Sequence, residues 1–375
     1  MTGTPDEASP AEGVETPRAS RRRREFLTGL GAATVAGVGG WVLRGEVSDE
    51  GSDQATDSPE PTTSGGSSPG AGQPGITHPA VPQRHVQVSV LELTTTGPRA
   101  VLDAARTIAT ATPTTTEDAG DVTVTVGIDP HNARSLWPER AALATELPTF
   151  DGDTTDLRTG GHLVVQVCAE TAVAVRDVTA QLTALVPGSR LVWESTGYRD
   201  APTPQGTTRT GLGFVDGIIA PRTEEELTAG VWTGADQDTY VVLRRMTILS
   251  DFTTAPVVEQ ERAIGRRRDT GAPLSGGETM SEIDLFAKSP DGQPMIPASA
   301  HARRAHPANI GRPLMLRRSY SFDTPDGSGL LFVAFLSDPE TFVATQRRLD
   351  EQDDLIRHTI TDASGCFFVP GSWET

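Results

Sequence analysis

The clearest periodicity in the chain begins at residue 85, where HVQVSVLEL (85–93) alternates apolar with polar residues and predicts a β-strand. The period then changes. In PRAVLDAARTIATAT (98–112) Val101, Leu102, Ala105 and Ile108 recur at helical spacing. Two strand-like runs, DVTVTVGI (121–128) and HLVVQVCA (162–169), precede a helical run at 171–186 and a strand at 189–198. Strand, helix, strand, strand, helix, strand is the order of a ferredoxin-like α+β unit. A second set follows, with a strand predicted over 238–248, a helix over 255–265, a strand over 329–337 and an amphipathic helix over 339–356. The pattern predicts an α+β fold of two similar halves, 76–210 and 211–375, each a sheet covered by helices.

Ahead of this body the pattern disappears. Residues 45–75 are mostly Ser, Thr, Gly, Pro, Asp and Glu, with almost nothing to bury, which predicts a disordered tether. Within residues 1–44, SRRRREFLTGLGAATVAGVGGWVL (20–43) is a basic cluster followed by a glycine-rich stretch shorter and less apolar than a membrane span requires. Arg23-Arg24-Glu25-Phe26-Leu27 resembles a twin-arginine export signal. That implies the twin-arginine translocase as a partner and passage across the cytoplasmic membrane in a folded state. The expected destination is periplasmic, extracellular or anchored at the outer face of the cytoplasmic membrane, according to whether the signal is cleaved.

Composition narrows the function. The 375 residues carry a formal net charge of -18, which argues against nucleic acid as a partner because phosphate binding needs a basic face. Cys168 and Cys366 match no thiolate metal spacing or redox pair and read as small buried apolar residues. The oligomeric state is left open, a homo-oligomer included. In GLGFVDGIIAP (211–221), Asp216 stands in an apolar, glycine-punctuated run where a charge is costly. By pattern alone, Asp216-Gly217 is the two-residue turn of a β-hairpin.

Four segments, GFVDG (213–217), EQERAIGRRRDTGAP (259–273), SAHARRAHP (299–307) and LMLRRSYSF (314–322), resemble the ordered motifs of the dye-decolorizing peroxidases, as do the later GLLFVAFLSDP and GCFFVPG. The resemblance runs from about Gly75 to the C-terminus. It implies haem b between the sheets of two ferredoxin-like halves, held mainly by the C-terminal half. It also implies an exported peroxidase that uses hydrogen peroxide to oxidise aromatic or dye-like donors by one-electron steps. His301 is implied as the proximal iron ligand, Asp216 as the distal acid/base and Arg317 as the distal cation. Arg266 is implied as the partner of a haem propionate, and Gly217, Ile218, Ile219, His306 and Pro307 as haem contacts. Gly213 and Gly217 would let the backbone approach the porphyrin. Arg318, beside Arg317 on a strand, should face the other way and be structural. The chain reads Gly-Ile-Ile-Ala-Pro (217–221) where the family often has Gly-Thr-Ala-Asn-Pro, so Ile218 and Ala220 supply no side-chain hydrogen bond.

Two alternatives share these residues. One is an iron-uptake-linked, deferrochelatase-like peroxidase handling porphyrin-bound or ferrous iron, with an iron-containing reductant. The other is a non-enzymatic haem carrier, which needs no acid/base; Asp216 together with Arg317 favours an enzyme.

Overall fold

Alternation along the first strand sorts its side chains between two cores: Val86, Val88 and Val90 face one cluster and Leu91 the other. This computed structural model describes residues 72–325 and 327–375. The signal-like segment and the tether as far as residue 71 lie outside the described residues. Residues 72–75, expected to belong to the tether, are instead packed: Gln73 is buried and its side-chain amide bonds to the backbone of Val126 and Pro370.

The N-terminal half contains β1 (His85–Glu92), α1 (Pro98–Ala109), β2 (Thr123–Ile128), α2 (Pro130–Leu136), β3 (Asp153–Arg158), β4 (Leu163–Ala169), α3 (Ala172–Ala184) and β5 (Arg190–Tyr198). A short hairpin, β6 (Thr208–Arg209) and β7 (Val215–Asp216), leads to α4 (Glu224–Gly230). Then come β8 (Thr239–Ile248), α5 (Ser250–Thr253), α6 (Val257–Ile264), α7 (His301–Arg304) and α8 (Pro307–Ile310). The chain ends with β9 (Leu316–Arg317), β10 (Tyr320–Thr324), β11 (Gly327–Leu336), α9 (Glu340–Gln352) and β12 (Thr359–Val369).

Leaving out α2 and β3, the first half is the expected ferredoxin-like unit, and β8, α6, β9/β10, β11, α9 and β12 repeat its order. The helices start where sequence chemistry places them. Pro98 opens α1, and the Thr171 hydroxyl accepts the Ala174 N–H to cap α3.

The strands follow the order β10-β5-β1-β4-β2-β12-β8-β11, and β10 also pairs with β11, so the sheets of the two halves close into one ring. The pairs of the ring are antiparallel, but its two seams are thin. Phe368 opposite Ile128 is the pairing between β12 and β2, and Ser321 opposite Tyr198 is that between β10 and β5. Inside the ring lie Val86, Val88, Trp193, Leu243, Tyr320, Phe335 and Phe367. Outside it, α1, α3 and α9 bury Leu102, Leu182 and Phe342 against the opposite sheet faces. Both cysteines are buried and free. Among the described residues, no helix is long and apolar enough to cross a membrane.

Candidate functional site

On the outer face of the C-terminal sheet, between that face and α9, is a cavity of about 280 Å³. Phe332 of β11, Met246 of β8, Met315 and the α9 residues Phe342, Gln346 and Leu349 contribute to its walls. This corrects the expectation of a group held between the sheets. The space between them is filled by the apolar residues of the ring interior, whereas α9 leaves room over the outer face.

Eight of the nine residues singled out from the sequence line this one cavity: Asp216, Ile218, Ile219, Arg266, His301, His306, Pro307 and Arg317. Gly217 does not. A Cβ there would meet only ordinary contacts, the nearest at 3.7 Å from the Gly206 carbonyl oxygen and Thr207 Cα. Its φ of 82° is what requires glycine, so it serves as the left-handed turn that sends Ile218 and Ile219 to the wall. Gly213 (φ 80°) also lies outside the lining, and a Cβ there would strike Arg268 Nε at 2.9 Å. Neither glycine is needed for a close approach to a bound group.

The hairpin reading of Asp216 also needs correction. Asp216 pairs with Thr208 at the open end of the β6–β7 hairpin. The turn is at 210–214, where Thr210 N–H donates to the Phe214 carbonyl and Gly213 N–H to the Thr210 carbonyl. Strand pairing thus fixes the Asp216 backbone while its side chain borders the cavity. Arg317, on β9, lies beside it. One guanidinium nitrogen is 3.9 Å from Asp216 Oδ1 and donates to the Ile219 carbonyl at 2.9 Å.

His301 begins α7, and its Nδ1 lies 3.0 Å from Asp353 Oδ2. Asp353 is fully buried, and its other oxygen accepts the N–H groups of Leu355 and Ile356, both at 2.9 Å. Burial pulls the His301 pKa down, but the charge and hydrogen bond of Asp353 outweigh it, so the imidazole sits above its ordinary value. With Nδ1 committed to the carboxylate, Nε2 is left with its lone pair for a ligand. Nothing in the sequence marks Asp353, one of several acids in LDEQDDLIRH (349–358) and 52 residues from its partner.

His306 has no such support. Its Nδ1 accepts the Ala308 N–H at 3.3 Å, capping α8, and burial lowers its pKa.

Arg266 is buried and bonds only to carbonyls, those of Gly271, Thr279 and Ser281 at 2.9–3.2 Å. Among the described residues no carboxylate lies within 4.0 Å of it, and burial lowers its pKa. A buried cation without an anion, at the wall of an apolar cavity, suits a ligand that brings its own carboxylate. The cavity thus combines a histidine held by a carboxylate, an acid beside a permanent cation, apolar walls and an uncompensated guanidinium. Sequence reading missed Asp353, Met315, Phe332 and the α9 contribution.

The chain is similar to proteins of one known family. Residues 207–374 match the family model "Dyp-type peroxidase, C-terminal". A dye-decolorizing peroxidase of Thermobifida fusca is 32% identical, the alignment covering 96% of each chain. A deferrochelatase of Escherichia coli is 30% identical, over 67% of this chain and 66% of the relative. Among solved structures, a DyP-type peroxidase from Cellulomonas bogoriensis superposes with a TM-score of 0.71 at 30% identity, covering 82% of this chain and 94% of that one. Ferric DtpA from Streptomyces lividans gives a TM-score of 0.71 at 31% identity, covering 81% and 92%. With such identity sustained over nearly the full length of a relative, the chain belongs to the dye-decolorizing peroxidase family.

Proposed function

We propose that this protein is a haem b peroxidase that uses hydrogen peroxide to oxidise aromatic or dye-like donors. The observation that carries this reading is the meeting, in one apolar cavity, of His301 backed by Asp353 and Asp216 beside Arg317. A haem bound here would supply the redox chemistry by which the oxidising equivalents of peroxide reach donors in one-electron steps.

The protein residues have separate tasks. His301 offers Nε2 to the iron, and Asp353 fixes the tautomer and raises the basicity of the ring. Arg266 holds a propionate, and Phe332, Phe342 and Leu349 keep water away. The Asp216 carboxylate takes a proton from one peroxide oxygen and returns it to the other as the O–O bond breaks. Arg317 holds the negative charge that develops at the same oxygens and, being permanently protonated, gives up no proton of its own. Its hydrogen bond to the Ile219 carbonyl keeps the guanidinium beside Asp216.

The test is the absorption spectrum of the purified protein with and without peroxide, followed by turnover of an anthraquinone dye. Absence of bound haem, or no spectral response to peroxide, refutes the reading. The similarity to a deferrochelatase supports a second role in handling porphyrin-bound iron. Incubation with haem in the absence of peroxide, with free iron quantified, decides it: release of iron establishes that role and its absence removes it.

Export follows the same reading. Arg23-Arg24-Glu25-Phe26-Leu27 directs the folded, haem-loaded protein through the twin-arginine translocase. Replacing Arg23 and Arg24 together by lysine should retain the protein in the cytoplasm, and unchanged export of that variant refutes the signal.

A further inference from the structure

Arg318 is a buried guanidinium that the peroxide chemistry does not use. It is 3% exposed, and its neighbour Tyr320 lies among the apolar residues inside the ring. Among the described residues it has no carboxylate within 4.0 Å. A second positive group, Arg199, stands over the Tyr320 ring at 5.6 Å, and burial depresses the Arg318 pKa. The side-chain bonds it does make are to two backbone carbonyls: Nη1 donates to Ile76 O and Nη2 to Pro79 O, each at 2.6 Å.

Both carbonyls belong to the segment that enters the fold ahead of β1, and that segment is itself bolted down. Gln73 Nε2 donates to Val126 O at 3.0 Å and Pro370 O at 2.8 Å, while its Oε1 accepts from Val126 N at 2.8 Å. Its amide therefore substitutes for strand pairing near the thin β2–β12 seam. Thr125 Oγ1 donates to Pro74 O at 2.6 Å, and Ile76 is fully buried.

Arg318 also sits at a break in its strand. Regular pairing stops after Arg317 and resumes at Tyr320. In between, Val333 of β11 accepts the Arg318 N–H at 2.8 Å and donates its own N–H to Ser319 Oγ at 3.3 Å. Arg317 and Ser319 line the cavity, while Arg318 reaches the opposite side. A guanidinium locked to fixed carbonyls is what holds such a break in one shape. If those carbonyls were lost, an unpaired charge inside an apolar ring would have to move towards water and take the backbone with it.

The structure assigns Arg318 the role of a positioning residue: clasped by the carbonyls of segment 72–79, it holds the broken strand so that the Arg317 guanidinium stays beside Asp216. This rests on Arg317 acting as the distal cation.

The experiment compares full-length Arg318→Met, Arg318→Lys and Gln73→Ala with wild type, each loaded with haem. It reads the stopped-flow rate of reaction with peroxide, the resting Soret spectrum, the rate of haem loss and amide hydrogen exchange. A misplaced group costs up to about a hundredfold. Arg318→Met should slow the peroxide step by about tenfold to a hundredfold, and Arg318→Lys should recover part of it. The spectrum and haem loss, which report the His301 side, should stay at wild-type values. Exchange at 72–79 and at 316–319 should accelerate together. A merely structural role would change haem loss and the peroxide rate in parallel, and that result overturns the proposal. So does a wild-type peroxide rate in Arg318→Met. If Arg318→Met does not fold, Gln73→Ala decides: faster exchange at 72–79 with none at 316–319 overturns the clasp. Wild-type turnover separately tests the peroxidase reading, and the exchange coupling stands or falls without it.

Discussion

His301 and His306 lie on the same cavity wall, yet only His301 has a carboxylate behind it. The expected outcome is that His301→Ala loses haem or shifts the Soret band strongly, whereas His306→Ala keeps the wild-type band and loses only the α8 cap. A wild-type spectrum in His301→Ala would show the ligand to be elsewhere. Asp353→Asn should keep the shape of the contact but remove its charge, and so raise the reduction potential of the bound haem; spectroelectrochemistry reads that shift directly. For the acid and the cation, Asp216→Asn should slow the reaction with peroxide by about 10² to 10⁴ with haem still bound. Arg317→Leu should slow it too, because charge stabilisation is lost. A near-normal rate in Asp216→Asn alongside a collapse in Arg317→Leu would remove the proton-transfer role. His301, Asp216 and Arg317 were legible because each stands in a distinctive local motif. Asp353 was not, since its importance arises only when the end of α9 folds against α7, and no local pattern separates it from Asp350 or Asp354.

Strands and helices were legible wherever burial gives the chain an apolar pattern. β1, β4, β8 and β11 are largely buried on both faces and so read as apolar-rich strands, and α1 buries the residues its spacing indicated; β12, whose first half mixes exposed and buried polar positions, was not predicted as a strand. β3 was invisible. Its run DTTDLR has no apolar alternation, and it is held to β12 by parallel pairing and by the buried Arg244–Asp153 contact at 2.5 Å. The hairpin was misplaced because two glycine signals compete within six residues; the turn formed at 210–214, and Gly217 kept the left-handed conformation just outside it. Gly217→Ala should therefore cost about 1–2 kcal/mol of stability in urea titration. It should also loosen Arg317, whose guanidinium leans on the Ile219 carbonyl two residues on. A stability and a peroxide rate both equal to wild type would show that the φ of 82° is not a constraint.

Among the described residues, buried ion pairs tie the two halves together and are costly to break. Arg140 of the N-terminal half grips the buried Asp238 carboxylate in two bonds, at 2.6 and 2.9 Å, and Arg244 of β8 holds Asp153 of β3. Removing one member of such a buried pair strands the other charge, so Asp153→Ala should lose about 3–5 kcal/mol in urea unfolding. Two halves with the same element order suggest two units that unfold separately, but a closed ring with buried ion pairs between the halves argues for one transition. The cysteines distinguish these outcomes, since Cys168 lies on β4 of the first half and Cys366 on β12 of the second. Burial raises both thiol pKa values, that of Cys366 to about 12, and only the thiolate attacks thiol reagents. In the native protein at neutral pH neither should label. In rising urea both should become reactive at the same concentration, and Asp153→Ala should move that midpoint down for both together. Labelling of Cys366 at lower urea than Cys168 would show that the halves separate before they unfold, and that the seams and ion pairs do not make the ring a single unit.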